Sequence, residues 1–568
     1  MTTSEKNQKS VSSMSAALQT ALSKKIHKAM KKHKVVGLSL ALVDDGEIVW
    51  ATGFGYADRE NKKHANENTL YKIGSITKVF TGMAIMQLVE KGLLDLNAPV
   101  QTYIPELNIR YHKPTNNPIT LRHLLSHTSG LPVDKMAGMF NNKDTEHFSV
   151  AIDFLNQVHA PYEPGTIATY SNLGMDLAGI IIERATGMRY EDYMQANILM
   201  PLNMSHSVLN DNLAEPRLIS KGYRKNKLHG EYPLRSVPAG NIHSSALEMA
   251  NFIKSVLNHG SPIISAASFN EMTRVQTNGT VFDSGAVFGL NWFLQNPRLA
   301  YLGPVLNHNG GTINFVSNLT IVPKQKLGLI MLCNTAMQIP FLEETSTLIL
   351  QKAAQLKTGL TPPPTTHWPE NITPPEATIN TSLGDYVTPL GIAKIGRDNK
   401  GVFALVHKKK IRLHYHQDGW FSLRYKLLGL IPIPLPGLNK VRVQIKQIAN
   451  EKILYVEENE TSYIIGKTFQ PKPISSIWKS RLGEYQVDYI EGDYHWFEKI
   501  VLTEKDNMLS LNIKNRQFGG APLFINPLND EMAIIEGIGR AMQETIYAKG
   551  KGKTSALFYS GYRLYKMN

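Results

Sequence analysis

Ser75 and Lys78 stand three residues apart in Gly74-Ser75-Ile76-Thr77-Lys78-Val79-Phe80, at the mouth of an apolar run. On a helix that spacing puts both side chains on one face, one turn apart. Two chemistries fit. Serine is a preferred helix cap and lysine can reach back to solvent, so the pair can be a helix start and nothing more. Alternatively, a hydroxyl beside an amine is a nucleophile beside the base that activates it. The run that follows, with Val79, Phe80, Met83, Ala84, Ile85, Met86, Leu88 and Val89, is apolar on nearly every side and stops at Gly92. A cap needs the serine but gives no reason to bury a lysine at the tip of such a helix, where the dipole points positive charge at anything negative. A second such tetrad, Ser476 and Lys479, precedes a strand-like stretch without comparable partners and is set aside.

Two further clusters carry polar groups. Tyr170-Ser171-Asn172 follows a Pro164-Gly165 turn and precedes a helical pattern. Either Ser171 or Asn172 caps that helix above a core tyrosine, or the phenol and the amide face a substrate. His308-Asn309-Gly310-Gly311 leads into a strand, as an ordinary glycine turn with an incidental histidine or as the rim of a site. His414 and His416 share one strand face, but no third ligand accompanies them to hold a metal. The single cysteine, Cys333, excludes an internal disulfide framework and a CxxC zinc site, and sits in an apolar strand-like run as a core residue.

The elements that must position these groups are legible in outline. Residues 15–34 place Leu18, Leu22, Ile26 and Met30 four apart among lysines, an amphipathic surface helix. Asp44-Asp45-Gly46 joins two strand-like runs, and a second hairpin turns around Pro323 and Lys326 before a helical stretch. Strands at both ends with helices between them predict one antiparallel sheet assembled from the two ends, flanked by helices, with a helical subdomain in the middle. Residues 361–377 are proline-rich and read as a stiff linker. Beyond it, short alternating strands occur in two echoing units: Leu383-Gly384-Asp385-Tyr386 returns as Leu482-Gly483-Glu484-Tyr485. The expected layout is a disordered 1–14, a domain at 15–360, the linker, and small β-barrels at 378–470 and 471–568, an α+β chain with an all-β tail.

Composition bounds the function. The 568 residues carry a net charge of +14, with 42% apolar and 19% charged residues, an ordinary globular balance. The basic runs lack interleaved aromatics and a nucleic-acid motif, so no nucleic-acid partner is expected. No window reaches the length of a membrane span, and no leader pattern opens the chain, which predicts a cytoplasmic protein without a transmembrane segment. The apolar stretch at residues 425–438 is broken by Pro432, Pro434 and Pro436. It is expected to be a packed inter-domain segment, a cover over the site, an oligomer contact or a membrane-surface contact.

Taken together, Ser75-x-x-Lys78, Tyr170-x-Asn172 and His308-x-Gly310 resemble the serine β-lactamase and penicillin-binding-protein family, in its class C-like branch. The stretches ITLRHLLSHTSGLP and PAGNIHSSALEMANFI are similar to that branch as well, and the tail pair is similar to the two barrels of D-aminopeptidases. The resemblance implies acyl transfer without a cofactor. Ser75 would be the nucleophile, with Lys78 and Tyr170 jointly the base and Asn172 orienting Lys78 and the substrate. The backbone N–H groups of Ser75 and Gly311 would form the oxyanion hole, while the bare Gly310 and Gly311 would let substrate approach the strand closely. Many relatives carry K-T-G where this chain has His308, whose charge would be conditional on pH. That departure implies a small ester, amide or short-peptide substrate, and an esterase or D-amino-acid-type peptidase rather than an efficient β-lactamase. A penicillin-binding DD-peptidase and a non-catalytic binding protein on the same fold are the alternatives.

Overall fold

The computed structural model describes residues 14–143, 146–209, 215–364, 368–427, 431–432, 440–458, 460–505, 507–515 and 519–567. Residues 1–13 of the expected disordered N-terminus and most of the apolar stretch at 425–438 lie outside the described residues, while Met14 is buried. Among those described, no helix is long and apolar enough to cross a membrane.

The chain forms two compact units. The first runs to Leu96 and adds Ala178–Val275 and Gly289–Pro364; the second holds Asn97–Leu177, Gln276–Phe288 and Thr365–Asn568. Residues 97–177 and 276–288, which lie within the region expected as one domain at 15–360, fall in the same compact unit as the barrels. Gly138 donates its amide to Asp493, Met136 donates to the Ser560 hydroxyl, and Ile464 donates to the Ser284 carbonyl.

In the first unit a six-stranded antiparallel sheet joins strands from both ends of the sequence. Its strands are β1 (Gly37–Asp44), β2 (Glu47–Asp58), β3 (Lys63–His64), β4 (Leu306–Gly311), β5 (Val316–Val322) and β6 (Leu327–Cys333). The order is β4-β5-β6-β1-β2-β3, with Leu38 opposite Cys333. Asp45 and Gly46, both at positive φ, make the β1–β2 turn. Leu38, Leu40 and Leu42 alternate onto one face, where they meet Leu22, Ile26 and Met30 of helix Ala16–His33 and Leu342, Ile349 and Leu350 of helix Ile339–Thr358. Helix Ala246–Leu257 presses Ile253 onto the bare backbone of Gly328 in β6. Its Phe252 stacks on Phe80 at 4.1 Å between ring centroids, which ties in helix Thr77–Glu90. That helix is buried from Thr77 to Met86 and ends with Gly92 at φ 69° just past its last turn. Cys333 is fully buried, and burial pushes its thiol up to about 12.

The tail holds two closed eight-stranded up-and-down barrels, each closed by its first and last strands. The repeat seen in sequence marks equivalent places. Gly384 and Gly483 open the first strands, and Tyr386 and Tyr485 both donate their hydroxyls four residues back, to the carbonyls of Ser382 and Arg481. Part of the expected linker is docked rather than free. The Pro369 carbonyl bonds His416 Nδ1, Ile372 donates to Tyr415, and Glu370 accepts from Gln417. His416 Nε2 is taken by Ser422 Oγ at 2.8 Å, so both ring nitrogens serve the barrel. In the second tetrad Lys479 pairs with Glu504, and the serine that caps helix Ser476–Ser480 is the preceding Ser475, not Ser476.

Candidate active site

Ser75 lies in the single 3-10 turn Gly74–Ile76 that leads into helix Thr77–Glu90. Its hydroxyl caps neither element, which removes the plain-cap reading. The turn begins with Gly74 at φ 56°, a conformation that costs a side-chain-bearing residue about 1 kcal/mol or more. A Cβ on Gly74 would also sit 2.5 Å from the Gly311 nitrogen. The last residues of β4 thus lie directly against the turn that presents Ser75, and Ser317 Oγ donates to the Ile73 carbonyl at 2.6 Å to hold them there.

Lys78 is fully buried one turn further on. Its Nζ donates to the Ala239 carbonyl at 2.7 Å and lies 3.2 Å from Ser75 Oγ. Ala239 belongs to the short helix Val237–Gly240 inside the PAGN stretch. That segment is fastened to the buried helix twice more: Thr81 Oγ1 donates to the Pro238 carbonyl, and Ile242 donates its amide to Thr77 Oγ1. The buried amine, held by a carbonyl, thus lies within reach of a half-buried hydroxyl.

Strand β4 alternates inward and outward. Leu306, His308 and Gly310 are buried, while Gly311 at the end is exposed. His308 is only 1% exposed, and its Nδ1 bonds the Asn309 carbonyl at 2.7 Å. Burial and the Lys78 charge push its imidazole down to about 3, so it is neutral at working pH and is no pH-conditional cation. A Cβ on Gly310 would lie 1.9 Å from the Ile73 carbonyl oxygen and 2.2 Å from Ser317 Oγ, so strand packing by itself requires a bare residue there. A Cβ on Gly311 would meet only Ile339, at 3.8 Å.

Tyr170 and Asn172 belong to the second unit. The SHTSGLP stretch builds their loop: His127 and Thr128 carbonyls accept from Thr169 and Gly165, and the Pro132 carbonyl accepts from Ser171 Oγ. Ser171 Oγ also accepts from the Gly174 amide, so this serine is the helix cap that the sequence allowed. The Tyr170 ring lies on the buried His127 ring at 4.3 Å between centroids. Asn172 Nδ2 donates to Asp134 Oδ1 at 2.7 Å. Sequence reasoning missed Ala239, His127 and Asp134 as supports. It also missed Arg540 of the second barrel, whose guanidinium carbon stands 5.0 Å from the centre of the Tyr170 ring.

Comparison with known proteins places this geometry. A family model described as Beta-lactamase matches residues 22–354. Protein flp of Staphylococcus aureus (strain MRSA252) is 30% identical over 316 residues, 54% of this chain and 60% of that protein. Penicillin-binding protein 4* of Bacillus subtilis (strain 168) is 29% identical over 304 residues, 50% of this chain and 64% of that protein. The chain therefore spans less than two thirds of the length of these curated relatives. Among solved structures, the octameric penicillin-binding protein homologue from Pyrococcus abyssi matches with a TM-score of 0.54 at 24% identity, over 78% of this chain and 99% of its own. SurE with D-Leu matches at 0.53 and 21%, over 79% and 100%. With more than half of its 568 residues under that family model, around a helix tip that sets a buried amine against a serine, the chain belongs to the beta-lactamase family.

Proposed function

We propose that this chain is a serine hydrolase that cleaves an ester or amide through an acyl-serine intermediate on Ser75. The observation that carries the reading is Lys78, buried at a helix tip with its Nζ 3.2 Å from Ser75 Oγ and fixed by the Ala239 carbonyl. The Lys78 amine gives one hydrogen to Ala239, and in its deprotonated form it offers its lone pair to the serine proton. Ser75 Oγ then attacks the substrate carbonyl carbon, and its proton passes to the Lys78–Tyr170 pair. The role of Tyr170 rests on motif order in the sequence. The oxyanion is received by the N–H groups of Ser75 and Gly311; one such donor is worth roughly 10²–10³ in rate. Collapse breaks the ester or amide bond, and Tyr170 returns the proton to the leaving alcohol or amine. Water attacks the acyl-serine by the same route in reverse, releasing the acid and restoring Ser75. Asn172 orients the substrate dipole with its amide while Asp134 holds its nitrogen.

The substrate class follows from His308. Where a strand lysine would offer a permanent cation, this chain has a buried, neutral imidazole. That supports an esterase or D-amino-acid-type peptidase acting on a small ester, amide or short peptide over an efficient β-lactamase. The test is to treat wild type and Ser75→Ala with a fluorophosphonate, a fluorescent penicillin and p-nitrophenyl butyrate, following adducts by intact mass. The expected result is fluorophosphonate label and ester turnover that both depend on Ser75, with little penicillin adduct. A strong, slowly released penicillin adduct would favour a penicillin-binding peptidase. No label at Ser75 from any probe would point to a binding protein.

A further inference from the structure

Half of the chain's positive excess is gathered near its start. Residues 1–43 hold eight lysines and one acid, Glu5, a net +7 out of the +14 carried by all 568 residues. Six of these lysines, Lys24, Lys25, Lys28, Lys31, Lys32 and Lys34, fall on helix Ala16–His33 and its C-cap. All six are exposed. Among the described residues none of them forms an ion pair or a side-chain hydrogen bond.

The fold sets their direction. Leu22, Ile26 and Met30 hold one side of the helix against the core of the sheet. At 100° per residue, Lys24, Lys25, Lys28, Lys31 and Lys32 share an arc of roughly 120° on the opposite side. Ala17, Thr20 and Ala21 precede them on that face, and the whole helix contains no acidic residue. Helix stability does not ask for this pattern. Lysines in the last turn complement the helix dipole, which accounts for Lys31 and Lys32 alone. Lys28 stands three or four residues from Lys24, Lys25, Lys31 and Lys32, a spacing at which like charges repel. A face kept only for solubility mixes both signs. A single-signed face that works against its own helix fits an anionic partner.

We propose that the outward face of helix Ala16–His33 is a docking surface for an anionic lipid bilayer. The lysines project one way from a helix laid flat on its sheet, so a planar array of lipid phosphates meets them together. Each lysine held near such a surface adds to the attraction, which salt screens. Nucleic acid fits the face less well. It has no arginine to grip a phosphate or a base edge in two-pronged fashion, and no Trp, Tyr or Phe on which a base could stack. Nor does the helix stand clear of the fold as a groove-reading helix must, because helix Ile339–Thr358 lies beside it, with the Phe341 ring 5.4 Å from His33.

The test is co-sedimentation of the full-length chain with vesicles of phosphatidylcholine alone or with about one third phosphatidylglycerol. The expected result at low salt is at least about tenfold stronger binding to the anionic vesicles, lost at about 0.5 M salt. Combining Lys24→Gln, Lys25→Gln, Lys28→Gln, Lys31→Gln and Lys32→Gln should cut that binding about tenfold or more. Circular dichroism and a thermal melt check that this variant is folded. The same five positions changed to Arg should keep the binding. A control chain loses equal charge elsewhere, with the exposed Lys113, Lys400, Lys408, Lys551 and Lys553 all changed to Gln, and should bind like wild type. Equal loss in both Gln variants would assign the effect to net charge and overturn the proposal. So would wild type that ignores anionic vesicles or binds neutral ones as well. A DNA duplex bound more tightly than the vesicles at the same salt, through the same five lysines, would overturn it in favour of nucleic acid.

Discussion

The Lys78 amine and the Ala239 carbonyl oxygen are 2.7 Å apart, in a place where neither reaches water. This contact joins the proposed catalytic tetrad to the PAGN stretch and fixes Nζ against Ser75 Oγ. Removing the amine should therefore cost activity and stability together. Lys78→Met is expected to lower kcat/KM for p-nitrophenyl butyrate by about 10³-fold or more. It should also lower the unfolding free energy by about 1–3 kcal/mol, because Ala239 is left with an unpaired buried oxygen. Steady-state kinetics and a denaturant melt check both. Activity within tenfold of wild type would remove Lys78 from the proton path.

Gly74 is required twice over, by its φ of 56° and by the Gly311 nitrogen 2.5 Å from where a Cβ would be. Gly74→Ala is expected to cost about 2 kcal/mol or more through backbone strain and a displaced β4. Because Gly311 is one of the proposed oxyanion donors, kcat should fall more than KM rises. A melt and a kcat–KM pair measured on the folded fraction distinguish the two effects.

What could be read beforehand depended on distance along the chain. Ser75 and Lys78 are one helical turn apart, so spacing alone put them together. The barrels announced themselves because Tyr386 and Tyr485 repeat within the same short pattern. The burial of His308 was in principle legible as well: it alternates with Leu306, which marks the inward face of β4. Its neutrality was not legible, since that depends on burial depth and on the charge of Lys78. Ala239 carries no signal, because every residue has a carbonyl. Arg540 lies in the last barrel, and only the fold brings it to Tyr170.

The buried His308 makes an acid-stability prediction. Its folded value, about 3, lies below its ordinary 6.5, so the unfolded chain takes up a proton that the folded chain refuses. Stability that is full above pH 6.5 is then lost progressively as pH falls toward 3. His308→Gln should shallow that loss without abolishing it. His112, pushed down to about 4 by burial and by the neighbouring His159, titrates in the same window. Denaturant melts at pH 7.5 and 5 provide the comparison; an unchanged difference between the two would mean that His308 is protonated in the folded chain.

Glu544 predicts the opposite slope. Burial, with the Asp134 charge adding to it, pushes its carboxyl up to about 7 from an ordinary 4.5. The folded chain therefore holds a proton that the unfolded chain releases. The stability this contributes is present below pH 4.5 and lost as pH rises through 7. Glu544→Gln keeps an oxygen for the Val133 amide and cannot ionise, so it should match wild type near pH 4.5 and be more stable at pH 8. The gain is expected to be about 3 kcal/mol, the value of a shift of that size. Melts at the two pH values decide it: an equal effect at both would show that Glu544 stays ionised and that Val133 holds a carboxylate throughout.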